Sequence, residues 1–471
     1  MSEAKREPEG AGPARRQSRP GARAVACEAL SAMTERYPDL LPARVDVDGL
    51  SHRDAALAHA IVDAATRRWT TLGFLFEVAL SRPWIDLKPP IQAALLAGGA
   101  QLLFFDRLPV YAVIDETVEW TKRRVKPGAG GLVNAGLRGL ARLVFEGADE
   151  ARDARELAAR VDERFADGRD SLPLADGRGL RLLAPVLPED RWMRLAVSCS
   201  VPSAVIKRWR AALGDDAARL QALHCVVRPP TILNVRFSPH EQRSNPLFAP
   251  HEDPHHRVFA GEHHELVKLI KRTSRVWVQD PSSSGAVASA AELTPRVVID
   301  YCAGQGTKTR QLALTFPKAR ILATDTDERR VRTLRQTAEQ YRNVEVAPIE
   351  TVRRLEPIAD LILADVPCGN TGVLARRPEA RYRAQTDQLE RLVAVQRDIL
   401  RECAALLAPG GSILYATCSI EAEENRQQAA WAGAELGLAA SGERAELPAG
   451  LPGDGAERYH DGAYSVLLTR R

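Results

Sequence analysis

Residues 296–309 read Arg296-Val297-Val298-Ile299-Asp300-Tyr301-Cys302-Ala303-Gly304-Gln305-Gly306-Thr307-Lys308-Thr309: an apolar run that ends on an acid, a loop with two glycines, and the start of a helical pattern. A strand that turns through glycine into a helix is the opening unit of a parallel α/β sheet, and the glycines let backbone approach a ligand. The unit repeats downstream. Ala319-Arg320-Ile321-Leu322-Ala323-Thr324-Asp325 predicts a second strand, ending in an acid about 20 residues beyond the loop, where a carboxylate can accept both hydroxyls of a ribose. Val344-Glu345-Val346 predicts a third, followed by Glu350 in reach of an adenine. Ala359-Asp360-Leu361-Ile362-Leu363-Ala364 and Ser412-Ile413-Leu414-Tyr415-Ala416-Thr417 predict a fourth and a fifth. The expected fold of this half is a largely parallel, Rossmann-like sheet with helices on both faces.

The loop discriminates among nucleotide ligands. A dinucleotide fingerprint needs a third glycine where Thr309 stands, and Lys308 lacks the spacing of a triphosphate-binding loop. S-adenosylmethionine, which also carries an adenosine ribose, fits better. Beyond the fourth and fifth strands lie Asp365-Val366-Pro367-Cys368 and Thr417-Cys418-Ser419. Ligands in such folds bind past the carboxyl ends of the strands, so both cysteines and Asp365 are expected at one rim although the cysteines are 50 residues apart in sequence (418 − 368 = 50). Carbon 6 of a pyrimidine yields to a thiolate, and methylation at C5 needs such an attack first. On chemical grounds either cysteine could be the nucleophile.

With 471 residues, of which 45% are hydrophobic and 27% charged, the chain has material for two or three cores. No apolar run approaches a membrane span, and the polar start lacks a secretory core. Seven cysteines without paired short spacings predict reduced thiols and a cytoplasmic location. A net charge of +4 is too small to identify a nucleic-acid binder. Local clusters (Lys122-Arg123-Arg124-Val125-Lys126, Lys207-Arg208-Trp209-Arg210, Lys268 with Lys271-Arg272, and Arg376-Arg377) are candidates for phosphate contacts or for ordinary solvated faces.

The expected organisation is a disordered arm over 1–20, an all-helical domain over 21–145, a helical connector over 146–225, a small α/β subdomain over 226–290 and the catalytic α/β domain over 291–471. Six of the ten histidines fall between His240 and His264. Pro250 and Pro254 disfavour the helix that would align His251 with His255, so a polar surface insertion is expected there in preference to a zinc site.

Two stretches carry a resemblance. Ala93–Pro109, with Val113-Ile114-Asp115-Glu116 and Gly131-Leu132-Val133-Asn134-Ala135-Gly136-Leu137-Arg138 after it, is similar to NusB-like RNA-binding domains; the alternative is a generic helical bundle. Asp365-x-Pro367-Cys368 with Thr371-Gly372 and Arg377-Pro378-Glu379, Thr417-Cys418-Ser419 with Glu424-Asn425, and Asp461-Gly462-Ala463-Tyr464 resemble the RNA 5-methylcytosine methyltransferases of the RsmB/NOP2/NSUN superfamily. The resemblance implies Cys418 as nucleophile, Cys368 in loss of the C5 proton or release of the adduct, Asp365 on the base edge and Lys308 beside the thiols. It also implies S-adenosylmethionine contacts from Cys302, Ala303, Gly304, Gln305, Gly306, Thr307, Lys308, Asp325, Glu350 and Asp365. The substrate it implies is 16S ribosomal RNA, with no metal, no membrane and a monomeric chain. Gln305, Thr307, Gly369 and Asn370 depart from the related pattern, which reads C-A-A-P-G-G-K-T in the loop and P-C-S-G-T-G at the first cysteine. A DNA cytosine-C5 methyltransferase would take its nucleophile from the proline-cysteine pair, and a non-catalytic RNA-binding factor would use only the helical domain. Thr417-Cys418-Ser419 together with the helical domain argues against the first, and the presence of Asp325, Asp365, Cys368 and Cys418 against the second.

Overall fold

The computed structural model describes residues 21–105, 108–145, 160–384 and 387–470. The expected arm over 1–20 lies outside the described residues, as does 146–159 of the expected connector.

Helices α1 (Ala22–Thr34), α2 (His52–Arg67), α3 (Trp69–Leu80), α4 (Pro89–Phe104), α5 (Val110–Arg124) and α6 (Ala129–Arg142) form the N-terminal domain. Helix α4 is apolar on every side and is accordingly its centre: Ala93 through Ala97 are all fully buried, and α1, α2, α5 and α6 pack around it. Ser51 caps α2 by accepting from the Asp54 amide, and Pro89 occupies the first turn of α4, where a missing N–H costs nothing.

The expected helical connector needs correction. Its described part, from residue 160, begins with an antiparallel sheet of β1 (Val161–Asp162), β2 (Ser171–Pro173) and β3 (Gly179–Arg181), in the order β1-β3-β2. The cause is an Asp176-Gly177 turn, with Gly177 at φ +85°, that folds Leu172 and Leu180 together onto the core of the helical domain. Among its described residues helices begin at Arg191, over Arg191–Cys199, Ser203–Leu213 and Asp215–His224.

Next come β4 (Ile232–Asn234), β5 (Phe248–Ala249), β6 (His256–Phe259) and β7 (Trp277–Val278), a four-stranded antiparallel sheet in the order β5-β6-β4-β7. The expected polar surface insertion holds for His240, His263 and His264, which are exposed, and fails for two others. His256 is 1% exposed, with Nδ1 2.8 Å from Asp253 and Nε2 3.1 Å from Ser284. His251 is buried too, its Nε2 2.9 Å from the Tyr459 carbonyl. Strand β6 and the Asp253 turn carry both rings inward, where each finds polar partners. Among the described residues no group of His, Cys, Asp and Glu could hold a metal ion.

The helix Pro281–Ser289 starts the catalytic layer, burying Ala286 and Val287 against the main sheet. That sheet comprises β8 (Val297–Asp300), β9 (Arg320–Ala323), β10 (Val344–Val346), β11 (Ala359–Asp365), β12 (Leu407–Thr417), β13 (Leu438–Glu446) and β14 (Ala463–Arg470), in the order β10-β9-β8-β11-β12-β14-β13. The pairs joining β8 to β12 are parallel; β14 runs antiparallel to β12 and to β13. This is a Rossmann-like sheet, with the strand order reversing between β8 and β11. No helix among the described residues is long and apolar enough to cross a membrane.

One segment sews the parts together. Arg381 is fully buried, and its guanidinium donates to the carbonyls of Arg67 (2.9 Å) in α2, of Leu374 (3.2 Å) after β11, and of Cys225 beyond the helix Asp215–His224. Beside it Tyr382 lies in the core of the helical domain, its hydroxyl 2.7 Å from the Thr66 carbonyl and its ring 6.1 Å from that of Trp69. Replacing Arg381 with Met leaves several buried carbonyls without donors, at about 1–3 kcal/mol for each group left unpaired. The expected outcome in urea denaturation is a loss of roughly 3 kcal/mol or more. Arg381→Lys should recover little of it, because an ammonium cannot reach carbonyls on three sides at once.

Candidate active site

The glycine loop departs from the related pattern without losing its shape. Gly304 (φ +58°) and Gly306 (φ +91°) occupy the left-handed region, and a Cβ on Gly306 would stand 2.9 Å from Thr337. Thr307 instead is the first residue of the helix Thr307–Thr315, a position any residue adopts, and the Gln305 carbonyl is held by the Thr337 hydroxyl at 3.1 Å. The conformation therefore needs glycine at 304 and 306 and tolerates Gln305 and Thr307.

Asp325, beyond β9, accepts from the Gly304 amide through Oδ2 (2.9 Å) and from the Asp327 amide through Oδ1 (2.8 Å). Each carboxylate oxygen retains a lone pair for a further donor. Ala303 is buried beneath the loop against Ala323 and Leu334, and burial pushes the Cys302 thiol well up, so Cys302 is a packing residue at the loop's entrance. Glu350 stands apart from this network, exposed on the one-turn helix Ile349–Val352 after β10.

Strands β11 and β12 pair in register, Asp365 opposite Ala416, so the loops leaving them emerge side by side. There Cys368 Sγ lies 3.3 Å from Cys418 Sγ. The contact with Cys418 and burial together push the Cys368 thiol well above the usual range. Gly372 makes the approach possible: its amide donates to the Cys418 carbonyl at 2.9 Å, and a Cβ on it would sit 2.8 Å from that oxygen. Asn370, at φ +59°, donates from Nδ2 to the Cys368 carbonyl (2.8 Å) and accepts at Oδ1 from Cys418 Sγ (3.4 Å). Lys308, at the base of the same cavity as Cys418, donates to Asp365 at 2.7 Å. Burial alone would lower the lysine; the Asp365 carboxylate outweighs it and raises it, so the ammonium persists. Ser282, Thr417, Asp461 and Tyr464 complete that cavity.

Residues that sequence reasoning left without a role hold the two loops. Glu424 is fully buried and takes the Gly369 amide at 2.8 Å and Gln396 Nε2 at 3.0 Å; burial pushes its carboxyl up despite these donors. Asn425 accepts from the Thr417 hydroxyl (2.6 Å) and donates to the Ser419 carbonyl (2.8 Å). The Glu424-Asn425 pair, visible in the sequence as a pattern, is thus the brace under Cys418. One arginine in each of two basic clusters is likewise tied to a buried carboxylate, while Lys207 and Arg377 beside them stay exposed. Arg208 pairs with Glu421 at 2.9 Å, and Arg376 with Asp461 at 2.8 Å, so both are spent on structure. Lys126, Lys207, Lys268, Lys271 and Arg272 remain exposed.

Residues 291–433 match the family model described as 16S rRNA methyltransferase RsmB/F, and residues 20–142 match that of the NusB family. Over 445 residues, 89% of this chain and 89% of the relative, the sequence is 30% identical to ribosomal RNA small subunit methyltransferase B of Xanthomonas campestris pv. campestris. The chain belongs to the RsmB/F methyltransferase family. Another RsmB/F relative, ribosomal RNA small subunit methyltransferase B of Vibrio cholerae serotype O1, is 28% identical over 381 residues, 80% of each chain. The crystal structure of PH0851 superimposes with a TM-score of 0.67 over 95% of this chain and 99% of that one, at 18% identity, a likeness of fold.

Asp300, at the end of β8, is a further buried acid of this RsmB/F site. Its Oδ2 accepts from the Thr309 hydroxyl at 2.6 Å, while Oδ1 has no protein partner. Burial raises its carboxyl from the ordinary 3.8 to about 7. The folded chain therefore keeps a proton that the unfolded chain releases, and stability falls as pH rises from 3.8 to about 7. Asp300→Asn keeps an acceptor for Thr309 and abolishes that dependence. Urea midpoints of the variant should decline less than those of the parent across this window.

Proposed function

We propose that the chain methylates C5 of a cytosine in ribosomal RNA, most naturally 16S ribosomal RNA as in its named relatives, with S-adenosylmethionine as methyl donor and Cys418 as covalent nucleophile. The observation that carries the reading is the thiol pair: two sulfurs 3.3 Å apart at the mouths of adjacent parallel strands, one of them with its proton held. The proton held on Cys368 can be donated in a hydrogen bond to a thiolate on Cys418, which supports Cys418 as the attacking sulfur.

The residues fit the cofactor. The left-handed glycines open a cradle over β8, Asp325 has lone pairs left for a ribose, and the persistent charge pair of Lys308 and Asp365 borders the space toward Cys418. Bound there, S-adenosylmethionine supplies an electrophilic methyl group. The chain's part is covalent activation. Cys418, as the thiolate with its proton lost to solvent, adds through Sγ to C6 and shifts electron density onto C5 and N3; the Asp365 carboxylate can accept from the exocyclic amino group, and the Lys308 ammonium paired with it offsets the developing charge. Once Cys418 is a thioether it no longer presses on its neighbour, and the Cys368 thiol falls from its raised value. Cys368 then releases its proton to solvent more readily, and as the thiolate it can take the C5 proton while the Cys418–C6 bond breaks and Cys418 leaves as a thiolate. A base stacked in a helix cannot meet a thiolate from this rim, so the cytosine must be unpaired or flipped out. The NusB-like domain and the exposed lysines would grip the flanking strand through phosphates.

Cys418→Ala should abolish transfer of labelled methyl to a 16S ribosomal RNA fragment, and retained transfer would sink the assignment. Cys368→Ala should instead accumulate protein covalently joined to RNA, seen as a slow band in a denaturing gel; an enzyme that turns over normally without that band would count against the division of roles. Calorimetric titration with S-adenosylmethionine should show one site, whereas a chain that only binds RNA would give no heat.

A further inference from the structure

Asn370 has no counterpart in the pattern through which this chain resembles its relatives, where a glycine stands at that place. Its backbone keeps the glycine's conformation, φ +59°, which costs a residue with a Cβ about 1 kcal/mol or more. The side chain accounts for the exchange, because it spans the two cysteine loops. Nδ2 donates to the Cys368 carbonyl at 2.8 Å, and Oδ1 stands 3.4 Å from Cys418 Sγ.

The orientation of the amide is fixed by chemistry. A backbone carbonyl can only accept, so the amide nitrogen must face Cys368, and the oxygen must then face Cys418. An amide oxygen accepts from a thiol and repels a thiolate. It is a better acceptor than the Cys368 sulfur, which lies equally close on the other side at 3.3 Å. The resting pair is therefore ordered in one direction: Cys368 S–H toward Cys418 sulfur, Cys418 S–H toward Asn370. We propose that Asn370 is a positioning residue for Cys418, its carboxamide oxygen fixing the direction of the resting S–H and keeping it protonated, so that Asn370 sets the pH at which the nucleophile forms.

The other groups around Cys418 do not duplicate this. Lys308 favours the thiolate but is paired with Asp365; Cys368 donates to either form; Asp461 and Tyr464 line the far wall of the cavity; Glu424 is turned to the Gly369 amide. Asn370 alone among them combines a fixed acceptor with direct contact to the sulfur. The proposal rests on Cys418 being the nucleophile.

The test uses the full chain with Asn370→Gly, which the backbone accommodates without strain, and Asn370→Asp, which replaces the amide by an anion. The rate of iodoacetamide alkylation of Cys418, followed by mass spectrometry of its peptide, is measured across pH together with methyl transfer. Loss of the acceptor should move the midpoint of both profiles to lower pH and raise alkylation near neutrality roughly two- to fivefold, the worth of one weak hydrogen bond. Asn370→Asp should move both midpoints upward. Unmoved midpoints, including a uniform fall in rate with the same midpoint, overturn the proposal and leave Asn370 a structural bridge. The Cys418→Ala variant, run alongside, separates the two questions: methyl transfer by that variant removes the nucleophile itself, whereas an inactive Cys418→Ala with an unmoved Asn370→Gly profile removes only the role given to Asn370.

Discussion

The hydrogen bond from the Gly372 amide to the Cys418 carbonyl, 2.9 Å long, is the contact on which the site depends. Parallel pairing of β11 with β12 delivers two loops to one rim but says nothing about how near they come. Nearness is decided at residue 372, where any side chain would drive its first carbon into the Cys418 carbonyl and the Gly462 carbonyl, at 2.8 and 2.5 Å. With hydrogen in that place the loops lock, Gly462 donates in turn to the Gly372 carbonyl at 2.7 Å, and the two sulfurs come into contact. Glu424, Gln396 and Asn425 then hold from beneath what Gly372 permits from above.

Much of this was legible in the sequence because the catalytic strands are buried on both faces. Val297–Asp300, Ala359–Asp365 and Ser412–Thr417 are near-continuous apolar runs, and the acids and cysteines that end them mark the rim. Strand β13 was not legible. Its residues, Leu438-Ala439-Ala440-Ser441-Gly442-Glu443-Arg444-Ala445-Glu446, are mostly exposed at the edge of the sheet, and pairing with β14 fixes them where side-chain burial does not. The hairpin of β2 and β3 did carry its signal, Asp176-Gly177, but charged helix formers on either side obscured it. His251 and His256 defeated composition altogether: a histidine-rich tract suggests metal or surface, and here two rings are buried because a carboxylate, a hydroxyl and a carbonyl wait for them.

The thiols illustrate a different limit. Motif and spacing place Cys368 and Cys418 at one rim, yet their inequality is a matter of protons, and protons follow neighbours that no spacing predicts. Asn370 faces one sulfur because a carbonyl fixes its other end, and Cys368 keeps its hydrogen because Cys418 lies beside it. The same holds for Arg208 and Arg376, which stand in clusters open to either phosphate contacts or solvated faces and are paired instead with Glu421 and Asp461.

The stretch from Cys368 to Tyr382 has one end at the reacting sulfurs and the other inside the core of the helical domain, with Arg381 riveted to carbonyls of three separate regions. The two halves of the molecule are therefore mechanically in series. Displacing the helical domain against the sheet would strain this segment, which is pinned at one end by Arg381 and Tyr382 and at the other by the cysteine loops.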